Sequence, residues 1–233
     1  MNPSDRAGSL REAVARRPAL DAIRAFVSRW HGIDLDVPRW NARADVPASL
    51  ALALPHERRL CRQNHLVLPD PDPTDPIRFV FYVENQGSAS WAYRASGAAD
   101  PPVSWLDVTT NVWHDETMAL DEFLLTALMM EATIGGSYKN GAYTRGAPAS
   151  TLEAALAPLA PVGRRWQWLS TQCYAGDEVI AFTVADKDGA PWLKMAATHS
   201  AALHYLNPII QSDPMPWLEI RVDGQERYPI DGF

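Results

Sequence analysis

Apolar positions first recur at helical spacing between Asp21 and Trp30. Ile23, Phe26, Val27 and Trp30 make one stripe, and Gly32 is a natural stop. Val46 to Arg62 repeats Leu50, Leu54 and Leu60 in the same way. Pro55 interrupts it, so the pattern predicts a short helix, a break and a second helix. Leu120 to Ile134 is apolar almost all round. Such a helix is a buried one.

Strand patterns fall between the helices. Leu68 to Ile77 carries Pro69, Pro71, Pro73 and Pro76 and is expected to be extended connecting chain. Arg78 to Glu84 is nearly all β-branched or aromatic, the composition of a central strand. Asn85-Gln86-Gly87-Ser88 is a turn signal, after which Ala89, Trp91 and Tyr93 alternate with Ser90, Ala92 and Arg94. These two segments predict a hairpin. Asp100-Pro101-Pro102-Val103 sets a rigid corner. Gly135 to Ala149 reads as a long loop. Ser150-Thr151-Leu152-Glu153 has the form of a capping box opening a helix to about Ala157. Glu178 to Ala185 and Pro191 to Ala197 predict a second hairpin, and His199 to Leu206 a short helix. Leu218, Ile220 and Val222, then Tyr228 and Ile230, predict a last amphipathic hairpin about Asp223-Gly224. Helices gather before and between hairpins, an order that argues for an α+β fold.

Composition adds bounds. The chain has 233 residues, of which 47% are hydrophobic and 21% charged, enough for a core that needs neither disulfide nor metal. The formal net charge is −7. That balance opposes a duplex or an anionic membrane and attracts a basic partner. No apolar run approaches the ~20 residues of a membrane span. Met1 to Arg6 leads into no apolar stretch, so a secretory signal is not expected. Cys61 and Cys173 stand far apart and read as two reduced, buried thiols. The expected location is the cytoplasm.

Several groups are candidates for chemistry. Glu84-Asn85-Gln86-Gly87 is either a turn satisfying its own backbone or part of a recognition surface. The sequence holds nine tryptophans. Trp30, Trp91 and Trp105 fit the core pattern. Trp166 and Trp168, beside Arg164 and Arg165, suit either an interface hot spot or a segment packed on the core. His199 and His204 lie five apart, which is not the spacing of two ligands on one helix face. Cys61 and His65 are one turn apart but have no evident third group to orient them. Asp121 and Glu122 fit the first turn of a helix, where the dipole favours acids. Glu131, with apolar neighbours, needs a partner if it is buried. Gly135-Gly136-Ser137-Tyr138-Lys139 follows a helix instead of opening one, so it is no phosphate loop. No metal or cofactor site is expected.

Arg62-Gln63-Asn64, Phe81 to Gly87, Trp91-Ala92, Asp100 to Val103 and Leu120 to Leu124 stand in an order that resembles the SUKH superfamily, as do Tyr174 to Asp177. The likeness covers about Val46 to Ala185. It implies one SUKH-like domain over 1–233, with a helical N-terminal elaboration (about 1–45) and a C-terminal hairpin (about 213–233). It implies a mixed or antiparallel sheet edged by helices, and protein binding instead of catalysis. Many bacterial members resemble immunity proteins, which neutralise a cognate toxin. Here that would mean occlusion of a toxin's basic face by an acidic surface, with no nucleic acid or membrane as partner. The binding residues this reading singles out are Glu84, Asn85, Gln86, Trp91, Asp100, Tyr138, Arg145, Trp166 and Trp168. Two other readings stand beside it. One is a hydrolase or transferase with a cleft under 135–149. The other is a small-ligand sensor that stacks its ligand on tryptophans.

Overall fold

The computed structural model describes residue 10 and residues 20–35, 46–134, 140–145, 148–168, 170–185, 191–212, 219–222 and 225–226. Its elements are helices α1 (Leu20–His31), α2 (Ala48–Ala53), α3 (Glu57–Leu60), α4 (Leu120–Ile134), α5 (Ala149–Leu156) and α6 (Asn207–Ser212). The strands are β1 (His65–Asp72), β2 (Asp75–Val83), β3 (Ala89–Arg94), β4 (Pro102–Asp107), β5 (Val112–Ala119), β6 (Asn140–Arg145), β7 (Ala160–Trp166), β8 (Thr171–Ala175), β9 (Val179–Ala185), β10 (Pro191–Ala197), β11 (Glu219–Val222) and β12 (Gln225–Glu226). Single 3-10 segments cover Leu54–His56 and Ser200–Leu206. The fold is α+β. Its described strands form two antiparallel sheets, a five-stranded one ordered β1-β2-β3-β4-β5 and a seven-stranded one ordered β12-β11-β6-β10-β9-β8-β7.

The helix expected to be buried is the centre of the molecule. In α4 only Asp121, Glu122 and Ile134 are even half-exposed. One flank packs on β7 to β10, and other flanks meet α1, α2, α3 and the first sheet. Its two buried threonines are satisfied within the helix: Thr126 Oγ1 donates to the Glu122 carbonyl at 2.9 Å and Thr133 Oγ1 to the Met130 carbonyl at 2.8 Å. The far face of the second sheet is closed differently. Leu152 and Ala155 of α5, with Leu203 and Leu206, pack on Val179, Ala181, Leu193 and Met195. Alternate residues Ile180 and Phe182 of β9 join the α4 core instead. Covered on both faces, β9 therefore reads as a continuous apolar run.

Phe123 links the two sheets. Its ring meets Phe81 and Tyr82 of β2 at 5.5 and 5.8 Å and Trp166 of β7 at 5.0 Å. A register irregularity between Val80 and Tyr82 explains how consecutive Phe81 and Tyr82 can both be buried. The extra residue of a β-bulge cancels the usual alternation of faces. Aromatic pairs of this kind add about 0.5–1.5 kcal/mol each beyond the area they bury.

The sheets also meet along the edges of β5 and β7, through side chains. Glu116 Oε2 accepts the Gln167 N–H at 3.1 Å and Thr117 Oγ1 donates to the Arg165 carbonyl at 3.4 Å. Arg164 donates from its guanidinium to the Thr117 carbonyl and from its backbone N–H to Glu122. Gly163 lies at a register irregularity of β7 with φ +59°. A Cβ there would stand 2.8 Å from Glu122 Oε1.

Several sequence expectations need correction. Leu68 to Ile77 is not connecting chain but most of a β1–β2 hairpin closed through Asp72 and Asp75. β1 is an edge strand, where proline need not supply a ladder N–H. Part of the 135–149 loop is strand β6, paired with β10 and β11. Helix α5 starts at Ala149 after Pro148, with no side-chain cap, so Ser150 sits inside the helix and the Ser150–Glu153 box does not form. The Trp166 segment is a strand, β7. The α1 stripe, the break at Pro55, the two central hairpins and α4 follow the sequence pattern. Cys61 and Cys173 are free, buried thiols. No described helix is long and apolar enough to cross a membrane.

The crowding at Gly163 gives a direct test. Gly163→Ala must strain a left-handed residue and displace the Glu122 carboxylate. The expected loss is roughly 1–3 kcal/mol in urea denaturation. An unchanged midpoint would mean that the β5–β7 seam is not packed as described.

Candidate binding surface

Glu131 is wholly buried in the last turn of α4. Its Oε2 accepts the N–H groups of Arg62 and Gln63 at 2.7 and 2.8 Å, and its Oε1 accepts the Asn64 N–H at 3.0 Å. The Tyr82 hydroxyl adds a fourth bond at 2.9 Å. A lone carboxylate at such a site is costly, but four donors replace its lost hydration. The partner that the sequence requires for Glu131 is thus a stretch of backbone. The Asn64 amide continues the network, with Nδ2 donating to the Tyr82 oxygen at 2.9 Å and Oδ1 accepting the Asn85 N–H at 3.2 Å.

The next turn is held the same way. Glu84 is buried, and its Oε2 accepts the N–H groups of Gln86 and Ser88 at 2.8 and 3.2 Å and the Ser88 hydroxyl at 3.0 Å. Gly87 takes φ +71° to close this turn. Asp107 closes the β4–β5 turn by accepting the Thr109 N–H at 2.9 Å and the Thr110 hydroxyl at 2.8 Å. The Val108 N–H then reaches the Ser88 carbonyl at 3.3 Å and joins the two turns.

All three segments stand at one end of the first sheet, where β1 and β3 start, β2 and β4 finish and β5 begins. Each is fixed by a carboxylate that spends itself on backbone N–H groups. The side chains of Asn85, Gln86, Val108, Thr109, Thr110, Asn111 and Val112 are left exposed. Loops positioned on a rigid scaffold are common places for recognition.

The residues singled out by sequence divide. Asn85 and Gln86 lie on this end, and Glu84 lies beneath it as the turn's internal acceptor. Asp100 is at the opposite end, where its Oδ1 accepts the Asp121 N–H at 2.9 Å and caps α4. Trp91 and Trp166 come together at 5.1 Å, but both are fully buried, so their faces serve the core. Trp168 is half-buried and packs edge-on to Trp91 at 5.0 Å. Tyr138 lies outside the described residues, as does the side chain of Arg145. The missed residues are Val108 and Val112. Val108 lies in the β4–β5 turn and Val112 just after it, and the Asp107-Val108-Thr109-Thr110-Asn111 composition was the available signal.

Electrostatics separates structural from reactive groups. Burial, followed by the charge of Glu131, pushes the Cys61 thiol far up, and burial pushes Cys173 up to about 12. His65 turns to Glu57 at 3.3 Å and not to Cys61. No thiolate–imidazole pair forms there. The Thr110 hydroxyl, with the Thr109 and Thr110 N–H groups, holds Asp107 below the usual carboxylate value. Burial raises Glu116, and the N–H groups of Gln167 and Trp168 offset only part of this. Among the described residues, no group of three or more His, Cys, Asp or Glu is placed to hold a metal.

No family model, curated protein or solved structure matches this chain.

Two measurements check these assignments. Glu131→Gln replaces an acceptor oxygen with an amide facing backbone N–H groups, and should cost roughly 2–4 kcal/mol in urea denaturation. Glu84→Ala should cost less, about 1 kcal/mol, because its turn is solvent-exposed. Equal losses would show that Glu131 has no special place. For Glu116 the folded pKa lies above the unfolded one. Its contribution is complete below the ordinary carboxyl range and is lost as pH rises through the raised value. The stability difference between wild type and Glu116→Gln should therefore fall with rising pH in that window; a difference that grows would reverse the assignment.

Proposed function

We propose that the chain is a protein-binding module of SUKH type that docks its partner on the loop end of the first sheet. The observation that carries this reading is the joining of three turns into one pre-set surface. A surface already ordered loses little conformational freedom on binding, which favours affinity and a single binding geometry. The order of the Arg62, Phe81–Gly87, Asp100–Val103 and Leu120–Leu124 segments supports the SUKH assignment by resemblance. In its finer form the module is a cytoplasmic immunity protein that occludes a cognate toxin. The net charge of −7 supports a basic partner by raising the rate of encounter.

The small-ligand reading is less well supported. The tryptophan faces that would stack a ligand are occupied by one another and by Phe123.

The test is a binding assay between the purified chain and the product of the adjacent gene, with growth rescue on co-expression. The double variant Asn85→Ala, Gln86→Arg should weaken the complex by about ten-fold or more without changing the urea midpoint. A matched change at Asp177 and Glu178, on the second sheet, should not. Failure to bind or protect, or a loss confined to the second-sheet variant, would reject the reading.

A further inference from the structure

We infer that the loop end is charge-polarised and that the protein docking there carries both signs, an acidic site facing the corner of Arg58, Arg59 and Arg62 and a basic site facing Asp107. This rests on the docking surface proposed above and specifies the chemistry of its partner.

The basic pole forms where the chain enters β1. Arg58 and Arg59 of α3 and Arg62 just beyond it are all exposed. Arg59 donates to the His31 carbonyl at 3.0 Å, a bond that orients the guanidinium without cancelling its charge. Burial, then the charges of Arg59 and Arg62, push His31 down to about 4, so that histidine is neutral at pH 7. The neighbouring acid, Glu57, faces His65 at 3.3 Å. Glu131 is buried and accepts the N–H groups of residues 62–64.

The acidic pole is the β4–β5 turn. The Thr110 hydroxyl, with the Thr109 and Thr110 N–H groups, holds the Asp107 carboxylate in its charged form at the surface. The poles stand on opposite sides of the five-stranded sheet, β1 at one edge and the β4–β5 turn toward the other. Neighbouring strands lie about 4.8 Å apart, which separates the poles by roughly 15–19 Å. Asn85 and Gln86, in the β2–β3 turn, lie between them. A protein interface of ordinary size, about 800 Å² per partner, is roughly 30 Å across and covers both poles.

The net charge of −7 draws a basic partner in, but a uniformly basic face would meet these arginines as like charges. A uniformly acidic face, or a phosphate backbone, would meet Asp107 in the same way. A patch of both signs satisfies both poles. It also fits in one orientation only, because a half-turn sets like charges against each other. Arginine suits this use, since its planar fork matches a carboxylate through two hydrogen bonds.

Substitutions at the two poles separate these cases, read as affinity for the product of the adjacent gene. Arg58→Glu should weaken the complex by about ten-fold or more, and Asp107→Asn, which keeps an oxygen for the Thr109 N–H, by about three-fold or more. Thr109→Lys leaves Asp107 in place and should weaken the complex as well, which keeps the acidic pole testable if Asp107→Asn lowers the urea midpoint. Weakening by variants at both poles, at unchanged midpoints, would support the inference. A stronger complex with Arg58→Glu would mean a uniformly basic partner, and a stronger one with Asp107→Asn a uniformly acidic one. Indifference at either pole would mean an interface that does not span both. Each of these results overturns the inference and leaves the docking module standing. No complex at all would remove the docking reading and this inference together.

Discussion

The Glu131 carboxylate sets the terms for the rest of this fold. A carboxyl group buried on an apolar helix is tolerated only where several donors converge on it. Here the donors are consecutive backbone N–H groups of residues 62–64 and one tyrosine hydroxyl. One side chain therefore fixes three things at once: the axial position of α4, the path of the chain into β1 and the depth of Tyr82. Tyr82 in turn meets Trp91, Phe123 and Trp166, so the polar anchor and the aromatic junction between the sheets share a residue.

The same device recurs at smaller scale. Glu84, Asp107, Glu116, Glu122 and Asp100 each accept backbone N–H groups from a turn, a seam or a helix start. Asp72 does so in the β1–β2 turn, where it accepts the Thr74 N–H at 2.6 Å. A chain of net charge −7 thus keeps many of its acids for its own backbone, and its net charge is a poor guide to what any one face presents. Outside the core, Arg78 lies over Trp113 at 5.0 Å and pairs with Asp75 at 3.0 Å, closing the outer face of the first sheet with its own side chains. The loop end is left as the place where ordered, uncommitted polar groups and exposed valines meet.

Much of the scaffold was legible because burial and periodicity agreed. The α1 stripe, the all-round apolar α4 and the β9–β10 hairpin needed no further information. The missed strands broke that agreement for physical reasons. β5 inverts the expected alternation: Val112 is exposed, whereas Glu116 is buried on Gln167. β7 holds Pro161, Gly163 and two arginines because it bulges at Gly163 and binds its neighbour through Arg164. β1 hides behind prolines that only an edge strand tolerates. The site was half legible. Asn85 and Gln86 declared themselves through turn chemistry, and Glu131 through its apolar neighbours. Nothing local could say that residues 62–64, 84–88 and 107–112 meet, since that depends on strand order. Trp166 was ambiguous for the opposite reason: only the position of Phe123 decides that it belongs to the core.

The buried carboxylates of Glu131 and Glu84 hold the loop end rigid while its side chains face solvent. Native-state hydrogen exchange reads this most directly, because it reports each amide separately. The Arg62, Gln63, Asn64, Gln86 and Ser88 amides should be as slow to exchange as those of α4, opening only with the whole domain. Rapid exchange at these amides, alongside a protected α4, would show that Glu131 and Glu84 do not hold the loop end.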